Sequence, residues 1–436
     1  MGFLEITKLV FQILWFLFGL ALAHNVFFIL IGVFIKAKKY PATEDKKKYA
    51  ILVAARNEEK VIGALIDSIR NNDYPQEKLQ IFVIAHNCSD RTAEIARERG
   101  ATVYVYDNPN ETTKGYALRY LIDQIGSEYG IESFDGFYVF DADNVLRPDF
   151  FSKMNDAFVA NGCKDVVRGF RNSANFGHNY MSFQYGIHFL AECRFESRGR
   201  TVCGCSTRVS GTGYVFPSSY IKDGYPYVTL TEDWEFSADS ICNGRRVVHC
   251  DDAEFFDEQP TGLKIMLRQR LRWSRGRTLI FFTRFGSLMK SLFTPKRKGG
   301  KNNKFSQYDI TSSILPNGAV WVLFFLCQLI ATAISPLFGY NAATVWVEYA
   351  ISMALSLAGV YVSKVFYAVL LLILERKRLH NISFGVALAG VLLYPIFLET
   401  RKWLDTVSLF TKNLGWKTIP HEGVHGRKKK KAKAKA

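Results

Sequence analysis

The sequence has no Cys-x-x-Cys pair, no internal repeat and no recognisable nucleic-acid-binding module, and it is short of acidic residues, 40 against 56 lysines and arginines. Each shortage excludes something. The eight cysteines, Cys88, Cys163, Cys193, Cys203, Cys205, Cys242, Cys250 and Cys327, are scattered, which indicates neither a zinc site nor a disulfide framework. Only Cys203 and Cys205 are close, and reduced, buried thiols facing a cytosol fit the set better than a metal site. The net charge of +16 suits an anionic partner such as a membrane surface or a nucleotide. Nucleic acid is not expected, because the basic residues flank apolar segments instead of interleaving with a recognition module.

In the 436 residues, 48% are hydrophobic and 22% charged, so the two classes are expected to segregate along the chain, a catalytic core beside a membrane part. Leu9 to Ile35 is almost uncharged and exceeds the roughly 20 residues that span a bilayer. A signal peptide does not fit: the run is too long, lacks a small-residue cleavage site, and ends in Lys36, Lys38 and Lys39. By the positive-inside rule that end, and the domain after it, face the cytoplasm.

From Tyr49 the pattern becomes short apolar runs alternating with helical periodicity. Strands are expected at Tyr49–Ala55, Ile81–Ala85, Thr102–Tyr106 and Phe137–Phe140, with helices over Glu58–Arg70 and Ser89–Arg99. This alternation predicts an α/β domain with a mostly parallel sheet and ligands beyond its carboxyl edge. Lys264–Arg277 and Leu279–Leu292 read as interfacial amphipathic helices. Gly318–Phe338, Val345–Leu374 and Phe384–Leu398 are three further candidate spans, and Arg427–Lys431 opens a basic tail attracted to anionic lipid. Three spans after a cytoplasmic domain would leave that tail outside, against the charge rule. Either one stretch is re-entrant, Val345–Leu374 hides an extra crossing, or the tail is external. The expected division is 1–40, a transmembrane helix; 41–260, the catalytic domain; 261–309, the interfacial helices; 310–412, the C-terminal spans; and 413–436, the tail.

Polar motifs punctuate this frame. Asp141-Ala-Asp143 follows a strand directly, and two such carboxylates can hold a divalent cation and through it a diphosphate; a solvated turn is the alternative. Thr231-Glu232-Asp233 beside Trp234 offers a general base of raised pKa, or else a helix cap. In Gln269-Arg-Leu-Arg272-Trp273, Arg272 supplies a fork for phosphate and Trp273 a face for a sugar, though a membrane-surface helix would carry both types too.

Taken in this order between one N-terminal and several C-terminal spans, the motifs resemble the processive, inverting family-2 glycosyltransferases, which include cellulose, chitin, hyaluronan and poly-N-acetylglucosamine synthases. The resemblance covers Tyr49 to Trp273 closely and the flanks in outline. Ala55-Arg56-Asn57-Glu58-Glu59 resembles the family's nucleotide-base loop, Lys114-Gly115 its basic loop near the nucleotide, and Gly211-Thr212-Gly213 the segment lining the acceptor terminus.

The resemblance implies a GT-A-like domain that binds the nucleotide sugar through Ala55, Arg56, Glu58, His86, Lys114 and Asp141. It implies Mg2+ or Mn2+ on Asp141 and Asp143, Asp233 as general base with Glu232 beside it, and Gln269, Arg272 and Trp273 on the diphosphate and acceptor. One departure stands out: relatives usually carry Asp where this chain has His86, at a position that contacts the base. The implied activity is transfer from UDP-glucose or UDP-N-acetylglucosamine to a growing polysaccharide, with extrusion through the spans and room for accessory subunits. Single transfer to a membrane lipid is the alternative, and an inactive scaffold on the same fold is a third.

Overall fold

The computed structural model describes residues 2–294, 304–412, 414 and 423. The chain opens with a 32-residue helix, α1 (Phe3–Phe34), and then enters an α/β domain. There the elements are β1 (Tyr49–Ala55), α2 (Ile62–Arg70), β2 (Leu79–His86), α3 (Thr92–Glu98), β3 (Thr102–Tyr106), α4 (Lys114–Glu128), β4 (Gly136–Asp141), β5 (Val145–Leu146), α5 (Phe150–Ala160) and β6 (Val166–Ser173). They continue with α6 (Tyr180–Ala191), a π-helical segment (Glu192–Arg198), α7 (Gly199–Val202), β7 (Tyr214–Pro217), α8 (Glu232–Cys242) and β8 (Val247–Asp257). The C-terminal part is α9 (Leu263–Phe293), α10 (Lys304–Ile314), α11 (Asn317–Ile334), α12 (Ala342–Leu374) and α13 (Phe384–Phe410).

Among the described residues the strands form one 8-stranded sheet of order β3-β2-β1-β4-β7-β6-β8-β5. The β3-β2-β1-β4 half is parallel, with Tyr49 opposite both Leu79 and Gly136, while β7 runs antiparallel between β4 and β6. A parallel half needs cover on both faces. On one side Ile51, Val53, Ile81 and Val83 meet Ile62, Leu65, Ile66 and Ile69 of α2; on the other Leu52, Phe82 and Ile84 meet Leu118, Leu121 and Ile125 of α4. Each such side chain taken from water contributes about 1.5–3 kcal/mol before entropy is counted. The expected α/β class with a mostly parallel sheet is the fold observed.

Two expected helices start late, at Ile62 and Thr92, because the polar residues before them build loops at strand ends. The two amphipathic stretches are one unbroken helix, α9. The span expected to end at Leu398 continues to Phe410, and α12 runs 33 residues without a break, so no extra crossing is hidden in it. The tail from 413 lies almost wholly outside the described residues. Among those described, four helices (α1, α11 with its extension to Phe338, α12 and α13) are long and apolar enough to cross a membrane.

The first of these candidate spans joins the α/β domain at backbone contact. A Cβ on Gly32 of α1 would lie 2.5 Å from Arg194 O, and one on Gly199 of α7 would lie 2.4 Å from Phe28 O. Arg194 Nε donates to Gly32 O at 3.1 Å. No side chain larger than hydrogen fits at either position, so sequence here sets the docking distance.

Candidate active site

A cavity of about 300 Å³ opens beyond the carboxyl ends of β1, β2 and β4 and is closed on one side by α9. The loops at those strand ends are tied by asparagines in left-handed conformation, Asn57 at φ 58° and Asn87 at φ 50°, a region asparagine tolerates better than most residues. Ser89 N donates to Asn57 Oδ1 at 2.8 Å, and Asn108 N to Asn87 Oδ1 at 2.8 Å. This frame brings Ala55, Arg56, Glu58 and His86 to the cavity wall. His86 Nε2 donates to Glu111 O at 2.7 Å and its ring stacks on Tyr106 at 5.6 Å. Burial, helped by Arg56, lowers its pKa, so the ring is neutral and Nδ1 is left as an acceptor.

Asp141 ends β4. Its N–H donates to Thr212 Oγ1 at 2.9 Å, and its carboxylate pairs with Lys114, which also donates to Gly211 O at 2.8 Å. Burial opposes the Lys114 charge, but Asp141 and Glu232 keep the ammonium protonated. Asp143 Oδ2 accepts from Glu258 N at 3.0 Å. Glu58 has its pKa pushed up to about 9 by burial and then by Asp143, Asp141, Asp90 and Glu258. These carboxylates repel one another, a field that a divalent cation would relieve. Among the described residues no three His, Cys, Asp or Glu side chains are grouped to hold a metal by themselves. The donor set therefore fits a hard cation completed by phosphate oxygens and water, bound through one or two carboxylates, and not a closed protein cage.

Across the cavity stand the acids of α8. Burial, against the pull of Lys114, pushes the Glu232 carboxyl up to about 7, and burial also raises Asp233. A Cβ on Gly211 would sit 3.8 Å from Asp233 Oδ2, so glycine keeps the approach to this carboxylate open. Thr231 occupies the cap position but makes no side-chain cap bond; its side chain packs against Gly276 of α9 instead. A buried carboxyl of raised pKa, next to open space, can take a proton from a hydroxyl.

From α9, Gln269 accepts a hydrogen bond from Tyr185 Oη at 2.6 Å, Arg272 donates to Leu230 O at 3.0 Å, and Trp273 packs edge-on to Tyr185 at 6.2 Å. All three line the cavity with Gly211, Glu232 and Asp233. Thr212 and Gly213, expected at the acceptor terminus, are buried behind the wall. Thr212 props Asp141, and Gly213, at φ 68°, donates to Val139 O at 2.9 Å under Phe255.

The sequence reading missed one wall. His188, Phe189, Glu192 and Glu196 of α6 and the π segment, with Arg171, Arg208 and Trp234, also face the cavity. Arg171 pairs with Asp257 and lies 3.7 Å above the Phe189 ring. Burial would raise the Glu192 carboxyl, but Arg168 at 2.6 Å and Arg208 hold it well below the usual range. The available signal was Glu192 and Glu196 one turn apart inside an apolar run, and a π-helical turn there often marks a functional position.

Comparison with known proteins identifies the family and the fold. The family described as glycosyltransferase-like family 2 matches residues 46–276, more than half of the chain. The chain is 26% identical over 263 residues to the "Probable glycosyltransferase YdaM" of Bacillus subtilis (strain 168), covering 58% of this chain and 59% of that protein. It is 26% identical over 248 residues to the poly-beta-1,6-N-acetyl-D-glucosamine synthase of Staphylococcus aureus (strain COL), 55% of this chain and 57% of that one. With the 4,4'-diaponeurosporenoate glycosyltransferase of Staphylococcus haemolyticus it shares 32% over 168 residues, 36% of this chain and 41% of that one. The chain thus spans less than two thirds of these relatives. Among solved structures it resembles the mannosyltransferase PcManGT of Pyrobaculum calidifontis in complex with GDP-Man and Mn2+, with TM-score 0.56 and 15% identity over 83% of this chain and 96% of that one, a likeness of fold.

Proposed function

The chain belongs to glycosyltransferase family 2, and on that premise we propose that it transfers a sugar, with inversion, from a nucleotide diphosphate donor to the hydroxyl of a growing polysaccharide at the membrane surface. The observation that supports this most is convergence. Asp141 and Asp143, then Glu232 and Asp233, then Gln269, Arg272 and Trp273 come from three distant stretches and line one cavity beyond a parallel strand edge.

In this reading Ala55, Arg56, Glu58 and His86 receive the nucleoside, and His86 Nδ1 offers a neutral acceptor to an imide N–H such as that of uracil. Lys114, Arg272 and Gln269 take the diphosphate. Asp141 and Asp143 would hold Mg2+ or Mn2+ together with the diphosphate, and the cation would neutralise charge on the leaving group. The acceptor oxygen stacks its sugar on Trp273 and attacks the anomeric carbon as the carbon–phosphate oxygen bond breaks. Its proton passes to Asp233, and the nucleoside diphosphate leaves. One displacement inverts the configuration, and no covalent intermediate forms. Lys36, Lys38 and Lys39 support a cytoplasmic catalytic side.

A second reading, single transfer to a membrane lipid, is favoured by one observation. The spanning helices α1, α11 and α12 expose most of their length to their surroundings, as a plain membrane anchor would. Incubating the purified protein with labelled UDP-glucose and UDP-N-acetylglucosamine and sizing the product decides. Long glycan supports the first reading, one-sugar lipid the second, and no transfer from any nucleotide sugar overturns both.

A further inference from the structure

From the contacts at both ends of α13 we infer that this helix, although apolar enough to span, does not cross the membrane: it lies flat on the bilayer surface that faces the catalytic domain. The chain then crosses three times, and its C-terminus shares the side of the active site.

The level of the membrane can be read from the other helices. Their outer ends meet one another: Phe3 stacks on Phe338 at 3.9 Å, Leu4 N donates to Tyr340 Oη at 3.3 Å, and Lys8 pairs with Glu348 at 2.9 Å. Both α1, at 32 residues, and α12, at 33, exceed by about a dozen the roughly 20 residues a bilayer needs. The surplus falls at the other end in each. In α1 it begins where Tyr308 Oη donates to Ala21 O at 2.6 Å and His24 meets Asp309 at 3.0 Å. In α12 it begins where Tyr361 Oη donates to Leu392 O at 2.9 Å and Lys364 pairs with Glu399. α11 starts at this same level, since Gly318 N donates to Asp405 Oδ2 at 3.3 Å. Leu392, Glu399 and Asp405 belong to α13, so its second half runs along the inner boundary already marked by three other helices.

The rest of α13 stays against the catalytic domain and α9. Just before it, Asn172 Nδ2 donates to Arg378 O at 3.1 Å and Arg378 donates to Asp251 O at 2.7 Å. In its middle Gly390 lies under Phe183 of α6, and Arg270 of α9 binds Phe397 O. Near its end Arg277 pairs with Asp405 at 2.8 Å, and Thr278 and Ser408 share a hydrogen bond of 2.9 Å. A 27-residue helix is about 40 Å long; had it crossed, its far end would stand a bilayer away from α9. After it, Leu414 lines the active-site cavity and Gly423 N donates to Glu258 Oε2 at 3.2 Å.

Its two faces match that position. Gly390, Val391, Tyr394, Phe397, Asp405 and Ser408 are buried on the protein, while Phe384, Leu388, Leu392, Ile396, Trp403 and Val407 form an exposed stripe. An apolar stripe opposite a docked face, with Trp403 toward one end, fits immersion in the headgroup–acyl boundary. The occupant of this surface is therefore lipid. The placement also puts the Lys-rich tail after Arg427 on the cytoplasmic side that the charge rule prefers.

The test is a pair of epitope tags in the full-length membrane protein, one after Ala436 and one inserted at Gly339, in the exposed turn before α12, each probed by protease in sealed vesicles. Tags attacked from opposite sides are expected. Tags attacked from the same side mean that α13 crosses and overturn the inference. Should the inserted tag impair folding, the C-terminal tag alone is compared with the side on which a membrane-impermeant nucleotide sugar is turned over: the same side supports the inference, the opposite side refutes it. The tag comparison needs no activity, so its failure is distinct from failure of the proposed reaction.

Discussion

Replacing Asp233 by asparagine separates the proposed base from the groups that bind donor. The exchange keeps side-chain volume, and the local hydrogen bond that orders α8, Ser237 Oγ to the backbone O of residue 233 at 2.7 Å, does not involve the carboxylate. What disappears is a proton acceptor in a site where burial has raised its affinity for protons. A positioned base is worth roughly 100- to 10,000-fold, or about 2.7–5.5 kcal/mol of barrier. Asp233→Asn is therefore expected to lower kcat by at least about 100-fold while donor affinity, measured by calorimetry, stays within about threefold. Transfer by the parent should also fall on the acid side, because the base works only when ionised, and its raised pKa moves that limb above the usual aspartate range. Glu232→Gln is the control. Its carboxyl titrates at about 7, so if Glu232 were the base the limb would lie near neutrality and vanish in the glutamine variant. Near-normal turnover by Asp233→Asn would refute the mechanism.

Three further outcomes follow from the cavity. Asp143→Asn should abolish turnover with the fold intact, and excess chelator should do the same to the parent; full activity in chelator would remove the cation from the account. Trp273→Ala should shorten the product or divert sugar to hydrolysis without changing donor binding, as seen by sizing the product beside a calorimetric titration. Glu58 keeps its proton up to about 9 in the fold but loses it near 4.3 in an unfolded chain. Stability of the metal-free protein should therefore fall as pH rises between those values, and Glu58→Gln should flatten the trend in detergent melting curves; an unchanged slope would show that Glu58 is not the titrating group.

Much of the fold is legible because burial on both faces of a parallel sheet demands unbroken apolar runs, so Tyr49–Ala55 appears with the bounds expected; the half-buried edge strand Thr102–Tyr106 keeps its expected bounds as well. The helix starts are not legible, since Asn57 and Asn87 spend their side chains on tying loops, which periodicity does not register. The division of α9 expected after Arg277, where a basic stretch gives way to an apolar run, is absent. In the structure Gly276 receives Thr231, and Arg277 reaches Asp405, a partner far along the chain. The missed wall has the same cause. Glu192 and Glu196 look like surface residues until Arg168 and Arg208 fold against them. Local sequence shows a charge but not the distant residue that makes its burial affordable.

The crossings at Gly32 and Gly199 make the joint between anchor and catalytic domain a fixed ruler. With backbone against backbone there is no layer of side chains to slide or compress, so in the proposed membrane placement the cavity mouth would stand at one height above the lipid. An acceptor that hangs from the bilayer must then present its reactive hydroxyl at that height, and one whose spacer is too short or too long misses Asp233 however well its sugar stacks. Reach would act as a filter on acceptors alongside chemistry.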